Sequence, residues 1–314
     1  MFNLYKIEMK KIFKSKGFIY GFLCILLVVL ILGILMKSFL PDNPGENWES
    51  QLKIEQKEEG NNPQDETQGI YFSDQVKHKD VYLEKGINPY EWNSWRFSNS
   101  LSQNGMDILI SIVVIIITSS LITSEYHQNT MKNLVATPNR RRDIILSKFL
   151  GALTVVFILS VFYYIITIIV GSLFFGVGSP DYQIITQNSE GYFDTINVLS
   201  SSILILLLRM IVVILVAVFT FTISLFSKNQ ALAVGLGTLF LFAGSMIGGL
   251  KILNDLKWYK FTPFPHMNLV NYVNAEVGQS IKGLALPYSL LIISLYFIFF
   301  LSVTIIKFNK EDIL

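Results

Sequence analysis

A chain of 314 residues that is 52% hydrophobic and only 15% charged, with mean hydropathy +0.49, falls well short of the roughly 25% charge of a soluble domain. Its solvent is therefore read as lipid. The net charge of +2 says nothing by itself, and the single cysteine, Cys24, excludes a disulfide framework or a cysteine-based metal site within one chain. Lys outnumbers Arg, and Ile and Asn are frequent, a usage that fits an AT-rich bacterial genome.

Residues 1–16 open the chain with Phe2, Tyr5, Met9, Ile12 and Phe13 at helical spacing on one face and Lys6, Lys10 and Lys14 on another. This pattern predicts an interfacial amphipathic helix, with Phe2, Tyr5, Lys6, Met9, Lys10 and Phe13 meeting an anionic membrane surface. A plain basic tail is the simpler alternative. The rest, 17–314, reads as one transmembrane domain. A crossing takes about 20 apolar residues, and six stretches supply them: 18–36, 107–123, 149–175, 199–226, 230–250 and 287–306. The first has the basic start of a signal peptide, but its apolar run is too long and Phe39-Leu40-Pro41 is no small-residue cleavage site, so it reads as an uncleaved anchor.

Residues 37–106 form the one sizeable extramembrane piece, an extracellular loop. Its charged middle, Glu55 to Gln68, predicts a mobile stretch. Tyr90, Trp92, Trp95 and Phe97 fit an outer interfacial belt, with a substrate-gripping aromatic lid as the alternative. The segment 176–198 has no Lys or Arg. Arg209, in the fourth run, either faces a substrate path or snorkels to the outer surface. Residues 251–286, with Trp258, Tyr259, Phe261, Pro263, Phe264 and Pro265, suggest a re-entrant-like extracellular segment of short helices, or a plain loop.

Lys and Arg orient the crossings. Lys6, Lys10, Lys11, Lys14 and Lys16 precede the first, Lys132, Arg140, Arg141, Arg142 and Lys148 lie between the second and third, Lys228 follows the fourth, and Lys307 and Lys310 follow the sixth. With six crossings all of these fall on one side. The expected fold is an all-α polytopic membrane protein with six transmembrane helices and both termini cytoplasmic.

The loop 124–148 carries the most information. Gln128 to Thr137 is compatible with a short helix bearing an apolar strip, Met131, Leu134 and Val135, suited to a partner's groove. Pro138 stops it, because proline cannot donate a helical hydrogen bond. Asn139 to Arg142 form a basic turn, and Asp143 starts the helix that runs through Lys148 into the third crossing. Positive-inside topogenesis alone accounts for the arginines, but not for the strip and its stop.

Catalytic chemistry is not visible. No Gly-x-x-x-x-Gly-Lys-Ser/Thr phosphate loop occurs, Gly235-Leu236-Gly237 lacks the lysine, and His78, His127 and His266 are isolated. No Asp, Glu or His sits firmly inside a crossing, which counts against an ion-coupled transporter or an intramembrane hydrolase. No enzyme activity, cofactor, metal or nucleic-acid partner is expected.

The loop resembles the one between the second and third crossings of permease subunits of ABC-2 type transporters. That family shows an acid, then Gly-Thr four and five positions on, a Pro, an Arg three residues later and a Lys seven beyond that. Glu125, Asn129-Thr130, Pro138, Arg141 and Lys148 stand at that spacing, with Asn in place of the usual Gly. The basic interfacial helix and the closing Phe308-Asn309-Lys310-Glu311-Asp312 extend the likeness. The resemblance implies two permease subunits around a central path, driven by two cytoplasmic ATPase subunits that dock on a coupling helix. The expected docking residues are Glu125, Thr130, Met131, Leu134, Val135, Pro138, Arg141 and Lys148. The expected function is that of the membrane subunit of an ATP-driven exporter of amphipathic or hydrophobic cargo such as a peptide, an antimicrobial or a drug. Its partners would be a separate ATPase, a second permease copy or paralogue, and the lipid of a cell membrane. The alternative is a membrane sensor or assembly factor that binds a ligand through 37–106 and a regulator through 124–148.

Overall fold

A computed structural model of the chain describes residues 1–40, 43–61, 79–103, 107–136, 138–187, 193–248, 256, 258–273 and 285–311. Its elements are mostly helices. In order they are α1 (Phe2–Lys14), α2 (Lys16–Phe39), α3 (Trp48–Asn61), α4 (Lys79–Lys85), α5 (Ser94–Gln103), α6 (Asp107–His127), α7 (Met131–Val135), α8 (Arg141–Phe175), β1 (Gln183–Gln187), β2 (Phe193–Asn197), α9 (Val198–Ser227), α10 (Gln230–Gly248) and α11 (Leu286–Lys310). Five of these helices are long and apolar enough to cross a membrane: α2, α6, α8, α9 and α11. The apolar helix α10 has 19 residues, a length of roughly 28 Å at 1.5 Å per residue, and packs against α9 and α6.

Local chemistry sets the element boundaries. Ser15 separates α1 from α2, and its Oγ accepts from the Phe18 N–H at 3.2 Å, satisfying one of the donors that a helix start leaves open. The Asn197 side chain does the same for α9, accepting from the Leu199 N–H at 2.9 Å. α9 ends at Lys228 with φ of 52°, and a two-residue turn leads into α10. α8 ends at Gly176, whose φ of 83° suits a residue without a Cβ.

Two apolar clusters hold the bundle. One joins α1, α2, α5, α6 and α8 through Ile12, Ile25, Phe97, Val114 and Val155. The other joins α6, α7, α8, α9, α10 and α11 through Ile122, Met131, Ile145, Phe221, Phe240 and Phe308.

The helix α5 shows how the far end, away from loop 124–148, is built. It lies alongside α8 and α9 rather than apart from the bundle. Ser98 and Thr167 share a hydrogen bond of 2.7 Å, and Asn99 Oδ1 accepts from Ser201 and Ser202 at 3.2 and 3.3 Å. At Gly171 an added Cβ would stand 2.9 Å from the Ser94 Cα, so α5 and α8 touch backbone to backbone there. The aromatic group expected as a belt is turned inward by this packing. Phe97 is fully buried against Phe175 at 5.4 Å, Trp92 lies 5.8 Å from the same ring, and the Trp95 indole N–H donates to the Gly178 carbonyl. Arg209 donates from Nη2 to the Gln103 carbonyl at 3.0 Å. It thereby serves the C-terminal end of α5, where carbonyls lack helical partners and a cation is favourable.

Two further differences from expectation are physical. The stretch from Glu55 is helical as far as Asn61, as the end of α3, and residues 62–68 lie outside the described residues. The lysine- and arginine-free segment contains a two-stranded antiparallel hairpin with Ile184 opposite Ile196, so the expected all-α fold is mostly helical with one small sheet. Its Ile and Thr residues are the β-branched signal for it. The segment 258–273 forms three short 3-10 turns that pack against α9, α10 and α11.

One of those turns places His266. Its Nε2 lies 2.8 Å from the Lys260 carbonyl, which requires a proton there. Nδ1 therefore accepts from Ser289 at 2.8 Å, and the Tyr272 hydroxyl donates to Ser289 Oγ at 2.7 Å. All three groups are satisfied by one another, and both His266 and Ser289 are fully buried, so this Ser–His pair reads as a structural clasp. Burial lowers the His266 pKa below the ordinary 6.5, partly opposed by the bond to Lys260. A neutral buried histidine contributes stability that is complete above its unfolded pKa of about 6.5 and lost as pH falls below it. The melting temperature of the solubilised protein is expected to drop between about pH 7 and pH 5, and the drop to shrink in His266→Gln. An unchanged pH dependence in the variant would remove the clasp from the account.

Candidate functional site at the loop end of the bundle

At the end that carries loop 124–148, α1 lies across the foot of α8. The Tyr5 hydroxyl meets Thr154 Oγ1 at 2.9 Å, and Met9 and Ile12 are buried, Ile12 approaching where Gly151 leaves room. The amphipathic expectation for α1 therefore divides. Tyr5 and Met9 pack on the bundle, whereas Phe2, Lys6, Lys10 and Phe13 are exposed, with Lys6 over the Phe2 ring at 4.6 Å.

This docking brings four charges together. Lys148, 1% exposed at its side chain, stands 2.7 Å from Glu125 Oε1 and 3.1 Å from Glu8 Oε1. Its ammonium also donates to the Leu121 carbonyl at 3.3 Å, on the last turns of α6. Lys11 reaches Glu125 Oε1 at 2.9 Å and Glu8 Oε1 at 3.5 Å. Two carboxylates and two ammonium groups thus close a ring across α1, α6 and α8. Burial alone disfavours the charge on Lys11, but Glu125 and then Glu8 outweigh it and hold its pKa above the ordinary lysine value. A cavity of about 650 Å³ adjoins the ring, lined by Ile12, Ile117 and Leu121 together with Ser124, Glu125 and Gln128.

A second cluster ties the same loop to the end of α11. Arg141 Nη1 donates to the carbonyls of Glu311 at 2.6 Å and Asn309 at 3.3 Å. The buried Glu311 carboxylate pairs with Lys228 and accepts from the Tyr126 hydroxyl at 3.2 Å, while Lys228 sits 4.8 Å over the Tyr126 ring.

The residues expected to dock a partner fall into three groups. Glu125, Lys148 and Arg141 make their contacts inside the chain, the first two in the ion ring and Arg141 on the tail. Met131 is also turned inward. It is 1% exposed among Ile144, Ile145 and the second core cluster, with Leu134 and Val135 packed against that cluster. Met131 therefore fills the chain's own core, with Leu134 and Val135 half-buried beside it, because a five-residue helix bracketed by two crossings finds its nearest apolar surface on them. Thr130 precedes α7 and donates to the Glu125 carbonyl at 3.4 Å. Pro138 remains exposed, as do Lys132, Asn133, Ala136, Asn139, Arg140 and Arg142. Asn129, where the resemblance has Gly, adopts φ of 54°. Asn is the non-glycine residue best suited to that left-handed conformation.

Sequence reasoning missed Glu8 and gave Lys11, Lys228, Glu311 and Tyr126 no role in a network. Glu8 had a signal: it is the one acid among the first 16 residues and lies across the helix from Lys6 and Lys10.

A bundle with five helices long and apolar enough to cross a membrane defines a multi-pass helical membrane protein. More narrowly, the chain belongs to the family described as protein of unknown function DUF2705, whose model matches residues 68–314. It is similar to the uncharacterized protein YhcI of Bacillus subtilis strain 168, with 26% identity over 324 residues that span 100% of this chain and 99% of that relative. It is also similar to the uncharacterized membrane protein YdbK of the same strain, with 27% identity over 208 residues, 66% of this chain and 79% of that protein.

Proposed function

We infer that this chain is the membrane-spanning permease subunit of an ATP-driven ABC exporter in a bacterial cell membrane, moving an amphipathic or hydrophobic cargo outward with a separate cytoplasmic ATPase. The observation that carries this reading is the closure of loop 124–148 into one unit. Glu125 and Lys148, far apart in sequence, meet at 2.7 Å. Asn129 turns where the ABC-2 permeases that the loop resembles have Gly, and Arg141 anchors to the tail. Such a loop is held rigidly enough to pass a push from a docked partner into α6 and α8. In this reading α10 is the fifth of six crossings, both termini face the cytoplasm, and two permease copies flank the path.

The partner then meets the exposed polar face of Lys132, Asn133, Pro138, Arg140 and Arg142 rather than the apolar strip. One exposed ion pair contributes only about 0–1 kcal/mol, so single substitutions there are expected to do little. The combined reversal Lys132→Glu, Arg140→Glu and Arg142→Glu is expected to cut ATPase co-purification and export about tenfold at equal membrane expression. Full binding and export by that variant would reduce the loop to a topological anchor. Leu134→Asp is expected to damage the permease itself.

Topology has its own test. In a Cys24→Ser background, Lys85→Cys is expected to react with a membrane-impermeant thiol reagent in intact cells, and Arg140→Cys only after permeabilisation. The reverse pattern would overturn the orientation.

A sensor reading has one observation in its favour. A cavity of about 410 Å³ at the far end is lined by Glu46, Trp48, Asn88, Glu91 and Tyr182. Co-purification with a regulator and no ATPase would select it.

A further inference from the structure

Independently of the exporter reading, we propose that the cavity beside α1 binds an amphiphile whose uncharged headgroup donates hydrogen bonds. Its volume of about 650 Å³ lies in the range of ligand sites, roughly 300–1,000 Å³. The decisive group is Glu125. Its Oε1 receives both Lys148 and Lys11, whereas its Oε2 is buried with no hydrogen-bond partner among the described residues, on a side chain only 7% exposed. A buried carboxylate oxygen left without a donor is costly, and a turn of the Glu125 carboxyl group into the cavity that its side chain lines would bring that oxygen a donor.

The surrounding charge selects the headgroup. Glu8 and Glu125 are balanced by Lys11 and Lys148, so a ligand cation meets Lys11 and a ligand anion meets the carboxylates. A hydroxyl or amide avoids both repulsions and still supplies the donor. Ser124 and Gln128 extend the polar wall, and Ile12, Ile117, Leu121 and Leu134 offer a bed for an alkyl chain. That chemistry is shared by a resident membrane lipid with a hydroxylated headgroup and by a transported amphiphile.

The test is photo-crosslinking of the purified full-length chain in nanodiscs with a diazirine-bearing monoacylglycerol, mapped by peptide mass spectrometry. The expected result is saturable labelling confined to residues 8–15 and 117–134. Unlabelled monoacylglycerol should displace the probe, and its dimethyl ether, which has no donor, should do so at least about tenfold less well. Glu125→Gln should weaken labelling by a similar factor. Because that change also touches the ion ring, Ser120→Trp serves as the second variant: Ser120 lines the cavity but belongs to neither the ring nor an apolar cluster, and the variant should abolish saturable labelling. Competing arms with a glycosyl diacylglycerol and with an uncharged N-acyl peptide amide separate the sources, since displacement by the first supports a resident lipid and by the second a transported amphiphile. Labelling spread evenly over the spans, equal competition by the dimethyl ether, or labelling unaffected by Ser120→Trp would leave the cavity to water and overturn the proposal. As no ATPase is involved, that failure would not bear on the exporter reading.

Discussion

Replacing Lys148 by methionine is expected to be the most damaging single change at the loop end. The ammonium it removes lies 2.7 Å from one buried carboxylate and 3.1 Å from another. Methionine nearly conserves the volume, so the effect isolates the charge. Glu8 and Glu125 would be left facing each other with only Lys11, a half-exposed group, for compensation. Breaking a buried pair by removing one partner costs about 3–5 kcal/mol, a large fraction of the roughly 5–15 kcal/mol that holds a typical domain together. The amount of protein in membranes should fall severalfold, with a lower melting temperature in detergent. Lys148→Met combined with Glu125→Gln should recover part of the loss, because the second change removes one of the stranded charges. A Lys148→Met protein as abundant and as stable as the parent would mean that the ring contributes nothing.

The second large effect is expected at the other end of the same helix. Gly171→Val would put a branched side chain where a single Cβ already stands 2.9 Å from the Ser94 Cα and 3.1 Å from the Ser94 carbonyl oxygen. The obstacle is backbone, which cannot rotate aside. α5 must move off α8, weakening the Ser98–Thr167 hydrogen bond and the seat of Phe97 on Phe175. Overpacking of this kind costs about 1–3 kcal/mol. Gly235→Val is the control, since an added Cβ there meets nothing within 4 Å among the described residues. Melting curves of the two variants should separate clearly, and equal melting would show that α5 is not seated on α8 through that contact.

The sequence made some of this legible and hid the rest for definite reasons. Long apolar runs announce crossings because lipid tolerates little else, and α2, α6, α8, α9 and α11 lie where the runs are. The spacing of Glu125 and Lys148 marked both residues. Their purpose stayed hidden, because pairing depends on how two helices and α1 meet in space, and Glu8 supplies a side of the ring that no local pattern links to position 148. The direction of Met131 was misread for a related reason. A five-residue helix has too few turns to reveal by periodicity which face is covered. Polar residues in α5 looked like a loop because Ser98 and Asn99 find their partners, Thr167, Ser201 and Ser202, more than sixty residues away.

The anchoring of Arg141 on Asn309 and Glu311 bears on how the protein comes into being. A chain emerging from the ribosome inserts α6 and α8 long before residue 309 has been translated. Until α11 is in place, the basic turn of the loop lacks its carbonyl acceptors, and Tyr126 and Lys228 lack the Glu311 carboxylate. The loop thus acquires its final shape only when the last helix of the bundle has been laid down. A chain cut short before α11 would therefore leave Arg141, Tyr126 and Lys228 without these contacts.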